Sequence, residues 1–260
     1  NRLSQAWNST VRLGRSTDDT RDYAGNVRDS KFRTDMNLLS WQNDIKLPVG
    51  EALLAYEYLK QMVSGTTDYA VTERTINSFL AGWNGNIEQH RLQLSLRRDD
   101  NSQFGDKTTG SASYGYQFTP EWRAHVSYGT AFRAPTFNEL YFPKSSFFAG
   151  GNPNLKPETA KNTEIGVNWE QGSQRASAVV YNNQLTDLIE FRPPTFAPVN
   201  VSKALLRGAT LTYDGRFSEW AAGLAVDFLD PRNEENGPNN GNRLARRAEQ
   251  QMSSYVTRTL

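Results

Sequence analysis

Hydrophobic side chains recur at every second position along much of this chain, which places alternate residues on opposite faces of a β-strand. From Trp122 to Phe132 the even positions are mainly apolar, while the odd positions include Arg123, His125 and Ser127. Twelve segments show this split, and the strands that it predicts lie at about 3–16, 31–46, 51–64, 73–84, 90–100, 107–118, 122–132, 158–170, 174–191, 203–216, 220–229 and 246–260. The pattern therefore predicts an all-β, antiparallel protein.

Strand length and loop length indicate which kind of sheet this is. Many of the segments have ten or more residues, whereas strands of soluble sheets usually have five or six and tilted membrane-spanning strands have 9–11. The predicted connections alternate between long ones (16–30, 65–72, 101–106, 133–157, 192–202, 230–245) and short ones (47–50, 84–86, 119–121, 171–173, 217–219). Short turns at one end and long loops at the other are typical of a transmembrane antiparallel β-barrel.

Such a barrel turns its apolar face to lipid and its polar face to the lumen. Aromatic residues near the strand ends suit the two membrane interfaces, and the candidates are Trp122, Phe132, Trp169, Trp220 and Phe228. The alternative for strands of this kind is a soluble, carbohydrate-binding β-protein. If that alternative held, the protein would be extracted without detergent.

Composition narrows the function classes further. Hydrophobic residues make up 37% of the chain and its mean hydropathy is −0.69, well below what a soluble core of this size uses. Aromatic residues reach 12% and the net charge is +1, which is unlike a disordered chain. No apolar run approaches the ~20 residues of a membrane-spanning helix. The absence of cysteine excludes disulfides and cysteine-based metal or redox sites. The chain has 29 basic and 28 acidic residues, so it has no overall positive electrostatic field that would attract nucleic acid.

A serine hydrolase is the first candidate chemistry, because His125 and Ser127 share the predicted lumen face. A triad also requires a carboxylate on the second imidazole nitrogen, and spacing alone identifies none. A hydrogen-bonded wall residue is the favoured interpretation of His125, and of His90 as well. We therefore predict no catalytic residue and no enzyme, with a complete twelve-stranded outer-membrane enzyme or translocator as the alternative.

A calcium site is the second candidate, in the acidic stretch 18–22 and at Asp29. Carboxylate oxygens suit calcium, but interleaved arginines would compete for them, and the ordered spacing of a calcium loop is missing. A solvated loop is favoured, so we predict no metal and no cofactor.

Three segments in which a strand runs into a loop are more distinctive. They read LRRDDNSQFG at 96–105, SYGTAFRAPTFNELY at 127–141 and GNPNLKPE at 151–158. The prolines of the second and third segments, Pro135, Pro153 and Pro157, fix φ and remove backbone donors. In this order they resemble the TonB-dependent transporters of the Gram-negative outer membrane. Three further strings are similar to the branch of that family that transports cobalamin (vitamin B12): DDNSQFG at 99–105, WQND at 41–44 leading to Val49-Gly50, and RRAEQQ at 246–251.

The resemblance implies a 22-stranded barrel in the outer membrane, closed by an N-terminal plug domain that couples to TonB. We expect residues 1–260 to be a partial barrel with about twelve of those strands, without the plug domain and the terminal strands. The implied function is energised uptake of a large, scarce nutrient. Cobalamin is the favoured ligand, and a siderophore or haem is the alternative. The expected partners are this ligand, the lipid bilayer and TonB through the absent plug.

The resemblance implies two substrate-binding residues, Arg246 and Ser30. At position 30 the family usually has threonine. Each is predicted to begin a strand that runs inward from a long loop, which places both at the extracellular mouth. Arginine there donates to carbonyl or phosphate oxygens of a polar ligand, and the hydroxyl donates or accepts. A surface loop cation is the alternative for Arg246.

Overall fold

The computed structural model describes residues 4–144 and 149–259, with the backbone alone for Arg28. The described chain forms twelve strands and one short helix: β1 Trp7–Ala24, β2 Val27–Lys46, β3 Glu51–Gly65, β4 Glu73–Ile87, β5 His90–Asn101, β6 Gly105–Gln117, β7 Trp122–Arg133, α1 Phe137–Tyr141, β8 Glu158–Gln171, β9 Gln174–Arg192, β10 Ala197–Phe217, β11 Trp220–Asn233 and β12 Gln250–Arg258. The predicted all-β, antiparallel class is confirmed.

Each strand pairs with the next strand in the chain, so the sheet is a twelve-stranded meander in the order β1 to β12. The register carries one row of side chains across many strands. Successive pairing places the following residues in a single row on one face: Tyr114, Val126, Ile165, Val180, Ala209 and Phe228. We call this side of the sheet the apolar face and the opposite side, which carries His125 and Glu164, the polar face.

The apolar face is exposed in the described part of the chain. Val126, Ile165 and Val180 are 41%, 54% and 55% exposed. The total exposed area is 16750 Å², whereas a soluble monomer of 29.3 kDa exposes roughly 11,500 Å². A sheet with so much exposed apolar surface fits lipid rather than water on that side.

The connections sort by end of the sheet, although several predicted loop lengths are wrong. The turns at one end have two to four residues and lie at 47–50, 88–89, 118–121, 172–173 and 218–219. The predicted turn at 84–86 is thus displaced to 88–89. At the other end, which we call the long-loop end, the predicted loop 16–30 is a two-residue turn at Gly25 and Asn26, because β1 and β2 continue toward each other. The loops predicted at 101–106 and 192–202 shrink to 102–104 and 193–196 in the same way.

The connection 66–72 keeps nearly its predicted length, and two connections at the long-loop end are much longer, 134–157 and 234–249. The first contains the helix α1, which the sequence pattern did not predict. The second includes Arg246, because β12 begins at Gln250 and not at residue 246 as predicted. Within the described residues, no helix has the length and hydropathy needed to cross a membrane.

Tightly buried apolar side chains are concentrated at the long-loop end in three small clusters. Their fully or nearly buried members are Val63, Tyr69, Phe137, Leu140, Leu155, Leu188, Ile189, Val201, Ala204 and Leu244. Most of these residues lie in loops or at strand ends. The packed core of this chain therefore fixes the loops at one mouth of the sheet.

Candidate functional site

The connection 134–157, described here except for residues 145–148, folds against the sheet; we call it the anchored loop. Its helix α1 begins after Thr136, whose side-chain oxygen accepts from the Glu139 N–H at 3.1 Å, while the Glu139 carboxylate accepts from the Thr136 N–H at 2.7 Å. This reciprocal capping box satisfies two backbone donors that a helix start otherwise leaves free. The FRAPTFNELY motif thus encodes a defined helix start directly after a strand.

Apolar contacts hold the anchored loop on the polar face of the sheet. Phe137 is 5% exposed and packs with Val63 and Tyr69, while Leu140 is 1% exposed and packs with Leu155. Burying such side chains contributes about 1.5–3 kcal/mol each. Tyr69 also donates its hydroxyl proton to the Asn138 side-chain oxygen at 2.5 Å. The loop is therefore a packed part of the structure.

Arg74, at the start of β4, ties the sheet to the base of the loop. Its Nη1–H donates to the Pro135 carbonyl at 2.7 Å and its Nε–H to the Gln61 amide oxygen at 2.6 Å. The guanidinium also lies 4.9 Å from the centre of the Phe137 ring, a cation–π distance. Burial lowers the pKa of Arg74, but an arginine keeps its proton in proteins.

Arg133 closes the two ends of the anchored loop together. Its guanidinium donates to Glu158 at 2.8 Å, at the start of β8, and to Glu139 in α1 at 3.2 Å. The hydrogen bonds to Glu158, and then those to Glu139, raise the pKa of Arg133. Burial alone would raise the pKa of Glu158, but hydrogen bonds from Arg133 and from the Ile189 N–H outweigh it, so this pKa lies below its usual value. The Glu158 carboxylate is therefore charged at neutral pH, and the hydrogen bonds from Arg133 to Glu158 and Glu139 join the two ends of the loop at its base.

The predicted site residue Ser30 lies in β2, four residues beyond the turn at Asn26. Its hydroxyl donates to the Asp22 carboxylate at 2.7 Å, which leaves the oxygen as an acceptor for a ligand. The acidic stretch around Asp22 is part of a hairpin, with Asp19 in ion pairs with Arg21 and Lys31. Over the described residues, no group of three histidine, cysteine, aspartate or glutamate side chains could hold a metal ion.

The predicted site residue Arg246 lies in a turn of the loop 234–249, at the long-loop end. It is exposed and has a φ of 58°, in the left-handed region that few non-glycine residues adopt. Its neighbour Arg247 is half-buried, its Nε has no hydrogen-bond partner among the described residues, and its charge helps to lower the pKa of Glu158. The two arginines thus differ in environment: Arg246 is exposed, whereas Arg247 lies toward the base of the anchored loop.

Ser30 and Arg246 lie at the same end of the sheet but near opposite edges, since β2 and β12 are ten positions apart in the strand order. The chain does not bring them into one compact pocket. A ligand that touches both would have to span this mouth. The sequence predicted no role for Arg74, Arg133 or Glu158, although the FRAP and KPE strings, which contain Arg133 and Glu158, were a signal for the last two.

His125 is a wall residue of the polar face. Its two ring nitrogens lie 3.2 Å from the Glu164 carboxylate and 3.2 Å from the Asn168 amide. Both nitrogens are therefore occupied by partners other than Ser127, which does not fit a serine triad. His90 pairs with the Tyr114 hydroxyl at 2.8 Å. At the long-loop end, side chains such as Ser30 and Arg133 instead form hydrogen bonds and ion pairs.

Comparisons with known proteins are consistent with this architecture. A family model described as "TonB dependent receptor-like, beta-barrel" matches residues 1–259. The vitamin B12 transporter BtuB of Photobacterium profundum is 30% identical over 233 residues, which cover 86% of this chain and 38% of that protein. BtuB of Vibrio vulnificus is 28% identical over 239 residues, with 87% and 38% covered. The chain thus spans less than half the length of these curated relatives.

Solved structures share the fold at low identity. The copper transporter OprC superposes with a TM-score of 0.70 at 14% identity, covering 90% of this chain and 44% of that one. The FrpB iron transporter from Neisseria meningitidis gives 0.67 at 17% identity, with 92% and 44% covered. The siderophore receptor PirA from Pseudomonas aeruginosa gives 0.65 at 16% identity, with 88% and 52% covered.

Proposed function

Because this chain belongs to the TonB-dependent receptor β-barrel family of the outer membrane, we propose that it forms the wall and outer mouth of a transporter for cobalamin. The observation that carries the substrate is the 30% identity to a vitamin B12 transporter over 86% of the chain. The structural neighbours support the fold alone, since their identities are 14–17%. Siderophore or haem uptake is the second candidate, as in the sequence analysis.

The expectation that the chain is not an enzyme agrees with its relatives at the level of the family, since those named above are transporters or receptors. The outer-membrane location excludes the soluble carbohydrate-binding alternative. Energised transport requires TonB as a partner, and that coupling is part of the proposal. The long loops face the cell exterior in this arrangement, as they do in other outer-membrane barrels.

The position of each residue at the mouth gives its role in this proposal. The anchored loop, held by Arg74, Arg133 and Glu158, gives the mouth a fixed side. Arg246 presents an exposed guanidinium that suits the amide and phosphate oxygens of cobalamin. Ser30 offers an acceptor oxygen at the other edge. No covalent step is involved, so recognition rests on hydrogen bonds and shape.

Arginine substitutions at the mouth test this proposal through ligand affinity. Losing a charge-assisted contact of roughly 1.5–3 kcal/mol in Arg246→Ala should weaken cyanocobalamin binding on the order of ten- to a hundredfold. Arg243→Ala is the matched control, because this exposed arginine of the same loop is already paired with Glu249, and its effect should stay below about threefold. Isothermal titration with the purified protein measures both. Unchanged affinity in Arg246→Ala would remove this residue from the site, and absent cobalamin binding in the parent would overturn the substrate.

A further inference from the structure

A second site, lined by polar side chains, lies on the apolar face of the sheet, opposite the polar face that carries the anchored loop. A cavity of about 470 Å³ opens there near the long-loop ends of β6 to β10. We call it the lysine groove and define it by the residues Lys107, Thr130, Phe132, Thr159, Lys161 and Lys203. Its origin is the end of the β6–β7 pairing at Ser111 and Gly129, beyond which the Thr130 hydroxyl accepts from the Gly110 N–H at 3.0 Å.

The register places this groove on the apolar face, between its row of apolar side chains and the long-loop end. Lys161 pairs with Thr130, which follows Val126 and Tyr128 in the same row of alternate residues. Lys203 pairs with Thr186, which in turn pairs with Thr159. Lys161 and Lys203 are exposed, and their Cα atoms are roughly 12 Å apart, from two strand spacings and two residue steps.

Among the described residues, the lysines of the groove have no carboxylate partner, which distinguishes them from the other cations of the apolar face. Other cations along the long-loop end form ion pairs, among them Arg33 with Asp35, Lys60 with Glu73 and Arg207 with Asp230. In the described part of the chain, Lys161 and Lys203 form none, and the Lys107 ammonium lies 5.8 Å from the centre of the Phe132 ring. The exposed Glu234 lines the groove without forming an ion pair there.

We propose that the lysine groove binds the phosphate groups of a multiply phosphorylated lipid in the outer leaflet of the outer membrane. An ammonium group and threonine hydroxyls are donors that suit phosphate oxygens. Apolar side chains lie directly below, at Tyr128, Ile165 and Val180, where the acyl chains of the same lipid would run. Two separated cations suit more than one phosphate. The groove lies on the face opposite the proposed nutrient path, so it is independent of the identity of the nutrient.

Native mass spectrometry of the protein from dodecyl maltoside micelles tests the proposal with two lipids that differ by one phosphate, diphosphorylated and monophosphorylated lipid A. The test variant is K161Q/K203Q. The control is K31Q/K60Q, which removes the same charge from the same face but at lysines that already pair with Asp19 and Glu73. All substituted side chains lie at the surface or are only half-buried, so both variants should keep the circular dichroism spectrum of the parent.

The parent should bind the diphosphorylated lipid at least fivefold more tightly than the monophosphorylated one. K161Q/K203Q should lose that preference and bind the diphosphorylated lipid at least fivefold more weakly, while the control stays within twofold of the parent. Equal binding by the two variants would overturn the proposal. Displacement of the lipid by equimolar inorganic phosphate would also overturn it, because the groove would then be a site for a free anion.

Discussion

Gly151 shows how one residue of the GNPNLKPE string determines the shape of the anchored loop. A Cβ atom built on it would lie 2.5 Å from the Leu140 carbonyl carbon and 2.5 Å from the Tyr141 nitrogen, distances that no side chain tolerates. The Gly151 N–H also donates to the Phe142 carbonyl at 2.7 Å. The sequence predicted turn geometry here, but it could not predict this close approach to the end of α1, since the two partners come from another part of the loop.

Substitution of this glycine should therefore loosen the loop without unfolding the sheet. Gly151→Ala forces the backbone of α1 to move, at a cost of roughly 1–3 kcal/mol, and should speed hydrogen exchange of residues 149–157. Gly14→Ala is the matched control, because the new Cβ would meet only the Leu38 Cβ at an ordinary 3.7 Å. Equal exchange in the two variants would mean that the close contact at Gly151 does not constrain the loop.

The strands show where hydrophobic periodicity succeeds and where it stops. Period two identified all twelve strands, because each has one apolar face where it meets lipid. It missed the outer ends of two strands, residues 17–24 of β1 and 27–30 of β2, where both faces carry polar residues, and predicted the loop 16–30 instead. That hairpin is held by polar pairs such as Thr17 with Asp35 at 2.7 Å and by backbone pairing up to Ala24 and Val27. A strand with water on both sides leaves no hydrophobic signal.

The two faces of β7 give the prediction at this scale. Val126 lies on the apolar face and is 41% exposed, while Ser127 lies on the polar face beside Ser113 and Glu164. Val126→Arg should cost roughly 2–4 kcal/mol near the bilayer midplane, and Ser127→Arg should cost much less, since it enters a polar lumen wall. Urea-induced unfolding in lipid vesicles measures both. Equal stability of the two variants would contradict the assignment of the faces.

At the scale of the whole molecule, the sequence predicted the fold class and the family. It predicted little of how the residues at the mouth pack together. Sorted connections and strand length were enough to predict an antiparallel membrane sheet. The mouth depends on contacts between distant residues, such as Arg74 with Pro135 and Tyr69 with Asn138, which are 61 and 69 positions apart. No local pattern encodes such contacts. For the same reason, the motifs identified the family but not the packing of the anchored loop on the sheet.

Competition on whole cells tests the central claim of cobalamin uptake most directly. Cells that display the protein in the outer membrane are incubated with radiolabelled cyanocobalamin and a hundredfold excess of unlabelled cyanocobalamin, haem or a ferric siderophore. The proposed function predicts saturable binding that is displaced by unlabelled cobalamin and retained in the presence of haem and the siderophore. Binding no greater than that of cells without the protein, or displacement by haem or the siderophore as complete as by cobalamin, would contradict it.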